Sequence, residues 1–547
     1  MSDAAGRAFD YVIVGAGSAG CVLANRLTED ADVKVALIEA GGRDTNPWIH
    51  VPSGYYKNIY NEKITWQYES GPEPHLNGRK IPWPRGRVLG GTSAINGLLY
   101  VRGQANDFNV WRQLGNDGWS YSDVLPYFKK AERQERGASD LHGADGFLGV
   151  SDVRVDNPMC EAFRKSAIAA GIPDNNDFNG EAQEGVGYFQ LTNWNGRRSS
   201  TAVGYLKPAK SRPNLTIITD AVTERVVLNG RTAEGVAIRT PSGRETIVAR
   251  REVVISAGAI GSPQILQVSG IGPSDVLADA GIEVRHALAG VGENLQDHYQ
   301  SRLLYEMRGR GSVNDVWHSR VEQVKAGLEY ALKRSGFLTI GAGVVGAFVK
   351  SSPDLEEPDI QFHFIPMSGL GPGQGLHPFP GVTVSVCQLR PESRGTLRVT
   401  SADVDVKPTI VSNYFEADID RHVIIEATKI ARKIVSQPPF SDLVVREFAP
   451  GPDAQTDDDF FAHARDHGTT IYHPCGTCKM GTDAMAVVDP RLRVHGIANL
   501  RVADASIMPN MTSGNTNAPT VMIGEKAADM IKQDRAAASE AATATAA

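Results

Sequence analysis

The chain has 547 residues and a formal net charge of -7, several times the length one hydrophobic core needs. It lacks the basic surplus that nucleic acid or an anionic surface demands. Apolar residues make up 41% and charged residues 22%, the balance of a soluble globular protein and not of a disordered one. No window approaches the ~18 consecutive apolar residues of a membrane-spanning helix. The first ten residues carry no basic, apolar leader pattern. Five cysteines, at 21, 160, 387, 475 and 478, argue against a disulfide framework and for a reducing, cytoplasmic location. Peripheral membrane association and a homodimer both stay open.

In chain order, residues 11–14 (YVIV) form a short apolar strand, followed by Gly15-Ala-Gly17-Ser-Ala-Gly20. The next stretch places Val22, Leu23, Ala24 and Leu27 on one helical face, and 33–42 holds a second strand. Strand, glycine turn, helix and strand open a doubly wound α/β sheet. Residues 43–100 are irregular and rich in Gly, Pro and Trp, with a Gly-Gly turn ahead of a strand at 98–101. Residues 215–259 alternate apolar and polar side chains, with turns at Asn229-Gly230 and Ser242-Gly243, and predict a β-meander ending in a buried strand at 253–256.

Between 301 and 460, strand-like runs (359–367, 382–389) alternate with helical ones. The helix predicted at 421–435 aligns Val423, Ile424, Ala427, Ile430, Ala431 and Ile434. No phosphate turn with an acidic partner occurs there, so this is an α+β domain that covers a site. The GLGPGQG loop (369–375) carries no substrate signal. Residues 465–533 return to Gly, Asn and Pro motifs and close in a helix. The Ala-rich tail 536–547 has no apolar face to bury and is expected to be disordered.

The glycine turn carries the first chemistry. Gly15, Gly17 and Gly20 permit a tight turn, close approach to a pyrophosphate and tight helix–strand contact, and the helix N-terminus offers free N–H groups. Glu39, about 20 residues on, ends the second strand, where a carboxylate accepts from ribose hydroxyls. A second match, Gly341-Ala-Gly343-Val-Val-Gly346, has Pro353 and Pro358 close behind it and reads as a loop. The glycines do not decide between NAD and FAD.

Two further motifs break that tie. Residues 84–97 (PRGRVLGGTSAING) and 258–272 (GAIGSPQILQVSGIG) resemble the two signatures of the glucose–methanol–choline (GMC) flavoprotein oxidoreductases. GVGENLQDH (290–298) and the segment 472–525 are similar to that family too, and the resemblance spans nearly the whole chain, closest to the bacterial choline-, sorbose- and polyether-type alcohol dehydrogenases. It implies FAD. Gly90, Gly91, Thr92 and Ser93 form a hydroxyl-bearing turn whose N–H groups reach pyrophosphate or flavin, with Asn96 adding an amide. Further contacts implied by the family fall at Ser18, Ala19, Ala40, Arg87, Gly97, Ala257, Asp504, Ala505, Asn515 and Thr520. Val222 lies where members use a backbone amide on adenine, and Trp66 lies beside the flavin, with plain packing as its alternative. Some members attach FAD through a histidine at the position of Ile95; isoleucine has no nucleophile, so the cofactor is expected to be non-covalent.

The second constellation is residues 472–478 (YHPCGTC) with 514–520 (GNTNAPT) about 44 residues later. Oxidising an alcohol by hydride transfer also requires loss of the hydroxyl proton, which a neutral imidazole accepts well. A neighbouring amide orients the hydroxyl without titrating. The resemblance places these roles on His473 as proton acceptor and Asn517 as its partner, with an ionisation near or above ~6.5 governing activity. Competing readings are a structural His473, a zinc site at Cys475 and Cys478, and a thioredoxin-like pair. The isolation of the other cysteines and the absence of a second CxxC weigh against metal, and the loop context weighs against a redox pair.

The expected architecture is a Rossmann-like FAD-binding domain from 1–155, 196–300 and 465–535. The expected substrate domain comes from 156–195 and 301–464, built on an antiparallel sheet with helices. The expected reaction is alcohol oxidation to aldehyde or ketone, with electrons passed to a quinone or other acceptor. Alternatives are an oxidase that reduces O2, a lyase on the same fold and a non-catalytic flavin carrier. The identity of the alcohol is not legible.

Overall fold

A computed structural model describes residues 7–369 and 374–546; part of the 369–375 loop therefore lies outside the described residues. The first strand is Ala8–Val14 and the helix after the glycine turn is Ser18–Leu27. Val35–Ile38 is fully buried, as a strand covered on both faces must be. These strands lie in a seven-stranded sheet ordered Leu215–Ile218, Val35–Ile38, Ala8–Val14, Gly243–Ile255, Thr232–Thr240, Val222–Asn229, with Leu500–Val502 also paired to Gly243–Ile255.

The meander expected over 215–259 divides. Leu215–Ile218 leaves it and runs parallel to Val35–Ile38 at the opposite edge. The 13-residue strand Gly243–Ile255 does two jobs: it is antiparallel to Thr232–Thr240 and then parallel to Ala8–Val14. Its apolar end is buried while its first half is polar and half exposed, which is why one strand serves a hairpin and a parallel core. Residues 98–101 do not form a strand: Leu98 adopts a φ of 67° and Leu99 makes one bridge to Leu191.

The second sheet is also seven-stranded, ordered Val444–Ala449, Tyr299–Met307, Gly381–Gln388, Ile360–Ile365, Val345–Val349, Gly185–Tyr188, with Thr469–Thr470 paired to Tyr299–Met307. Every pairing in it is antiparallel. The helix Asp418–Val435 lies against it with Val423, Ile424, Ala427, Ala431 and Ile434 buried, so the expected 3.6-residue stripe faces this sheet. Gly341 to Gly346 leads into the strand Val345–Val349 and not into a helix; a Cβ on Gly346 would lie 2.3 Å from the Phe189 ring.

Two large apolar clusters result, one around each sheet. The final helix runs Asn517–Ala546, so the tail expected to be disordered continues a helix already nucleated. Alanine has the highest helix propensity and needs no apolar face to extend an existing helix. No helix among the described residues is long and apolar enough to cross a membrane.

Candidate active site

One large cavity, about 1090 Å³, runs between the two sheets, beyond the roughly 300–1,000 Å³ of an ordinary small-ligand pocket. At one end lies the glycine turn. Gly15 has a φ of 98°, and a Cβ there would stand 2.5 Å from the Ser256 carbonyl oxygen. Gly17 caps the helix with no side chain over its free N–H groups. A Cβ on Gly91 would lie 2.7 Å from Gly17 Cα, so two glycine turns press together and leave bare backbone facing the cavity. Glu39 Oε2 accepts from the Ala16 amide at 3.0 Å and Oε1 from the Gly41 amide at 2.9 Å. Burial pushes its carboxyl up to about 7, against the pull of those two amides. Each oxygen keeps a lone pair for a ribose hydroxyl.

Of the residues anticipated as cofactor contacts, Gly15, Gly17, Ser18, Ala19, Glu39, Ala40, Trp66, Gly91, Thr92, Asn96, Gly97, Val222, Ala257, Asp504, Ala505, Asn515 and Thr520 line the cavity. Gly20, Arg87, Gly90 and Ser93 do not. A Cβ on Gly20 would fall 1.9 Å from the Gly15 carbonyl oxygen, so this glycine serves helix–strand contact. Gly90 supplies a φ of 93° and donates its amide to Ala16 O. The Ser93 hydroxyl turns inward to Gly90 O and Thr201. The Arg87 guanidinium stacks over Trp66 at 4.5 Å. All four shape the wall from behind it. Asp504 also acts as a brace, accepting from the Gly258 amide, the Ser262 hydroxyl and the Ser506 amide.

The chemical end is built on the loop at 472–474. Tyr472 holds a φ of 67°, a sparsely populated conformation for a non-glycine residue, and its carbonyl accepts both terminal N–H groups of Arg85 at 3.0 Å. The His473 amide donates to Asp297 Oδ1 at 2.7 Å, while Asp297 Oδ2 accepts from Tyr414 at 2.5 Å and from Thr470. The His473 ring is fixed from both sides. Its Nδ1 lies 3.0 Å from His298 Nδ1, and its Nε2 lies 3.1 Å from Asn515 Nδ2.

Protons can be assigned along this chain. His298 Nε2 lies 3.0 Å from the Leu389 carbonyl, which only accepts, so Nε2 carries the proton. Burial holds His298 neutral, down to about 4, and its Nδ1 is then an acceptor. His473 therefore donates from Nδ1 and keeps a lone pair on Nε2. Asn515 is oriented in turn, because its Oδ1 accepts from Gln361 Nε2 at 3.1 Å. The result is a basic nitrogen and an amide donor side by side on the cavity wall.

This corrects the partner expected for His473. Asn515 makes the contact, whereas Asn517 Oδ1 accepts from the Ser18 hydroxyl at 2.9 Å and its Nδ2 is buried without a partner on the cavity wall. The expected ionisation is corrected as well. Burial first, then His298, His363 and Arg85, hold His473 well below its usual range, so it is neutral across neutral pH. Cys475 and Cys478 both sit in the first core, where burial pushes the thiols up. A buried thiol held up in this way is a poor nucleophile for disulfide exchange.

Three residues escaped sequence reasoning. Asp297 and His298 end the GVGENLQDH stretch, quoted above without a role. His363 lines the cavity from the strand Ile360–Ile365, stacked on Phe189, with burial pushing it down to about 3. Its signal was a histidine alternating with Gln361 on one face of a buried strand otherwise made of Ile and Phe.

The donor set fits a dinucleotide: bare glycine backbone, the buried Glu39 carboxylate and the orphaned Asn517 amide all face one cavity. A neutral imidazole at its far end adds a proton acceptor, the pairing that an oxidoreductase working on a bound dinucleotide uses. Comparison with known proteins narrows the class. Family models described as GMC oxidoreductase match residues 9–300 and 391–524. An alcohol dehydrogenase (acceptor) from Pseudomonas putida is 43% identical over 527 residues, 96% of this chain and 95% of the relative. An oxygen-dependent choline dehydrogenase from Yersinia pseudotuberculosis is 44% identical over 533 residues, 96% and 94% respectively. The structure of formate oxidase from Aspergillus oryzae, solved in a study of FAD modification, superposes with a TM-score of 0.88 at 29% identity, over 98% of this chain and 99% of that one. The chain belongs to the GMC oxidoreductase family. It is an FAD-dependent enzyme oxidising CH–OH donors.

Proposed function

We propose that His473 accepts the hydroxyl proton of the alcohol while Asn515 holds its oxygen. The observation that carries this reading is the juxtaposition of a lone-pair Nε2 with an amide N–H at 3.1 Å. An alcohol oxygen docking beside them accepts from the second Asn515 N–H and donates to the Nε2 lone pair in place of the direct Asn515–His473 bond. Bound FAD supplies the hydride acceptor. His473, held neutral, takes the proton at Nε2, and the Asn515 N–H stabilises charge developing on the substrate oxygen. His298 and Asp297 position the base without reaching the cavity.

The glycine turn, Glu39 and the Gly91 turn are the proposed cofactor cradle, with Asn517 supplying a free amide donor. Ile95 lines the cavity and offers no atom for a covalent link, so acid precipitation is expected to release all the flavin as free FAD. Colour retained in the pellet refutes this. The FAD-binding domain proposed is 1–155, 196–300 and 465–535, with 156–195 and 301–464 as the substrate domain. The first sheet and most of the second are distributed in that way, with only the edges at 299–300 and 469–470 crossing over. Five free, buried cysteines support the cytoplasm as the location.

The electron acceptor proposed is a quinone or other organic acceptor, supported by the acceptor-type relative at 43% identity. Oxygen uptake is then slow beside reduction of an artificial acceptor. His473→Ala is expected to retain FAD and to lose about 10²–10⁴-fold in anaerobic flavin reduction. Wild-type reduction by that variant removes His473 from the mechanism, and flavin that no alcohol bleaches points to a lyase.

A further inference from the structure

The second sheet floors the cavity, and its register fixes which side chains lie side by side. Gln300, Cys387 and Gln361 face one another across three adjacent strands, and Gln361 is the residue that orients Asn515. The next row on the same face is Arg302, Ser385 and His363, and the one after it is Leu304, Thr383 and Ile365. All six side chains of these two rows line the cavity. Rows on one face are about 6.8 Å apart and strands ~4.8 Å apart. Arg302 thus stands one row beyond that of Gln361, which holds Asn515, and two strands from His363.

Three arginines among the described residues line this cavity. Arg79 donates to Arg465 O and Gly468 O, and Arg85 donates to Tyr472 O. The Arg302 guanidinium donates to no protein group and pairs with no carboxylate among the described residues. Its charge acts on Tyr55, Tyr56, Tyr60 and His363, all on the cavity wall. Among the described residues the wall carries two acidic ones, Glu39 and Asp504. Both are engaged at the dinucleotide end, one on the Ala16 and Gly41 amides and the other on Gly258, Ser262 and Ser506.

A partly buried guanidinium without a counter-ion is unfavourable until an anion arrives, and its fork matches a carboxylate. A quaternary ammonium would meet aromatic faces here, but with a fixed positive charge among them and no carboxylate opposite.

We propose that the substrate is an alcohol bearing a carboxylate, its carbinol at His473 and Asn515 and its anion on Arg302. This rests on the alcohol-oxidising reading above and names the substrate class for the same site. It separates this chain from the choline specificity that the 44%-identical relative's name carries.

The test is anaerobic stopped-flow reduction of the holoenzyme by a matched series: ω-hydroxy carboxylates of several lengths, their methyl esters, and choline. The hydroxy acid of best length is expected to exceed its ester about tenfold or more in kcat/KM, with choline poorest. Arg302→Met is expected to bring the acid-to-ester ratio near one, chiefly through KM, and Arg302→Lys to keep part of it. As a second readout, titration of wild-type holoenzyme with a non-oxidisable dicarboxylate is expected to perturb the flavin spectrum, more weakly at high salt and not in Arg302→Met. Flavin content checks that each variant is folded, and if Arg302→Met is lost the wild-type series and Arg302→Lys decide. Equal acid and ester efficiency, or choline as the best substrate, overturns the proposal while leaving alcohol oxidation standing. Failure of every alcohol to bleach the flavin overturns the reading beneath it.

Discussion

Removing the His298 imidazole tests the proton assignment on which the mechanism stands. In His298→Ala the Nδ1–H of His473 loses its acceptor inside a site where both rings are buried. Leaving a buried donor unsatisfied costs about 1–3 kcal/mol. His473 escapes that cost by moving its proton to Nε2, the nitrogen that must accept from substrate. A 1–3 kcal/mol change in tautomer balance corresponds to about a 5- to 150-fold fall in the active form, and flavin reduction is expected to fall by that factor. KM is expected to stay nearly constant, because His298 is fully buried and does not line the cavity. Burial is the main cause that holds His473 down and it outlasts the substitution, so the plateau above the acid limb is expected to persist at the lower rate. His298→Gln, whose amide oxygen can accept from His473, is expected to recover part of the rate. Anaerobic stopped-flow over a pH series reads all of these quantities. Wild-type reduction by His298→Ala would refute the relay.

The wild-type pH profile has a sign set by burial: because His473 is held below 6.5, kcat/KM is expected to be flat above that pH and to fall only on the acid side. A rise continuing through pH 7–8 would mean a differently solvated base. Asn515→Ala is expected to lose about 2.7–4 kcal/mol of transition-state stabilisation, the range of one preorganised donor, with FAD retained. Asn517→Ala is expected to weaken FAD retention instead, and the reverse pattern in flavin content and reduction rate would restore Asn517 as the partner of His473. Glu39, raised to about 7 in the free protein, must be ionised to accept best from ribose, so FAD affinity is expected to fall as pH drops below 7. Flavin-fluorescence titrations at pH 6 and 8 measure this, and a Glu39→Gln variant with the same pH dependence would assign it elsewhere.

What local chemistry dictates was legible along the chain. Gly15 and Gly91 hold a positive φ, a backbone demand that acts within a few residues and favours glycine whatever the fold packs against it. Burial periodicity is equally local, so the strand ending at Val14, the Ser18–Leu27 helix and the buried stripe of Asp418–Val435 could be read directly. Ile95 excludes a covalent link through that position by side-chain chemistry alone.

Tertiary structure decided what depends on direction across distant elements. Asn515 and Asn517 are two residues apart in the same Gly-Asn-Thr-Asn run, and no spacing rule separates them. Asn517 opens the last helix, which turns its amide toward Ser18 in the first helix, whereas Asn515 precedes that helix and is held by Gln361 from the second sheet. His298 meets His473 across 175 positions of sequence. The Arg302 row exists only because three antiparallel strands align in one register. Even the ionisation of His473 was set this way, since desolvation comes from whatever the fold places around the ring and not from its neighbours in sequence.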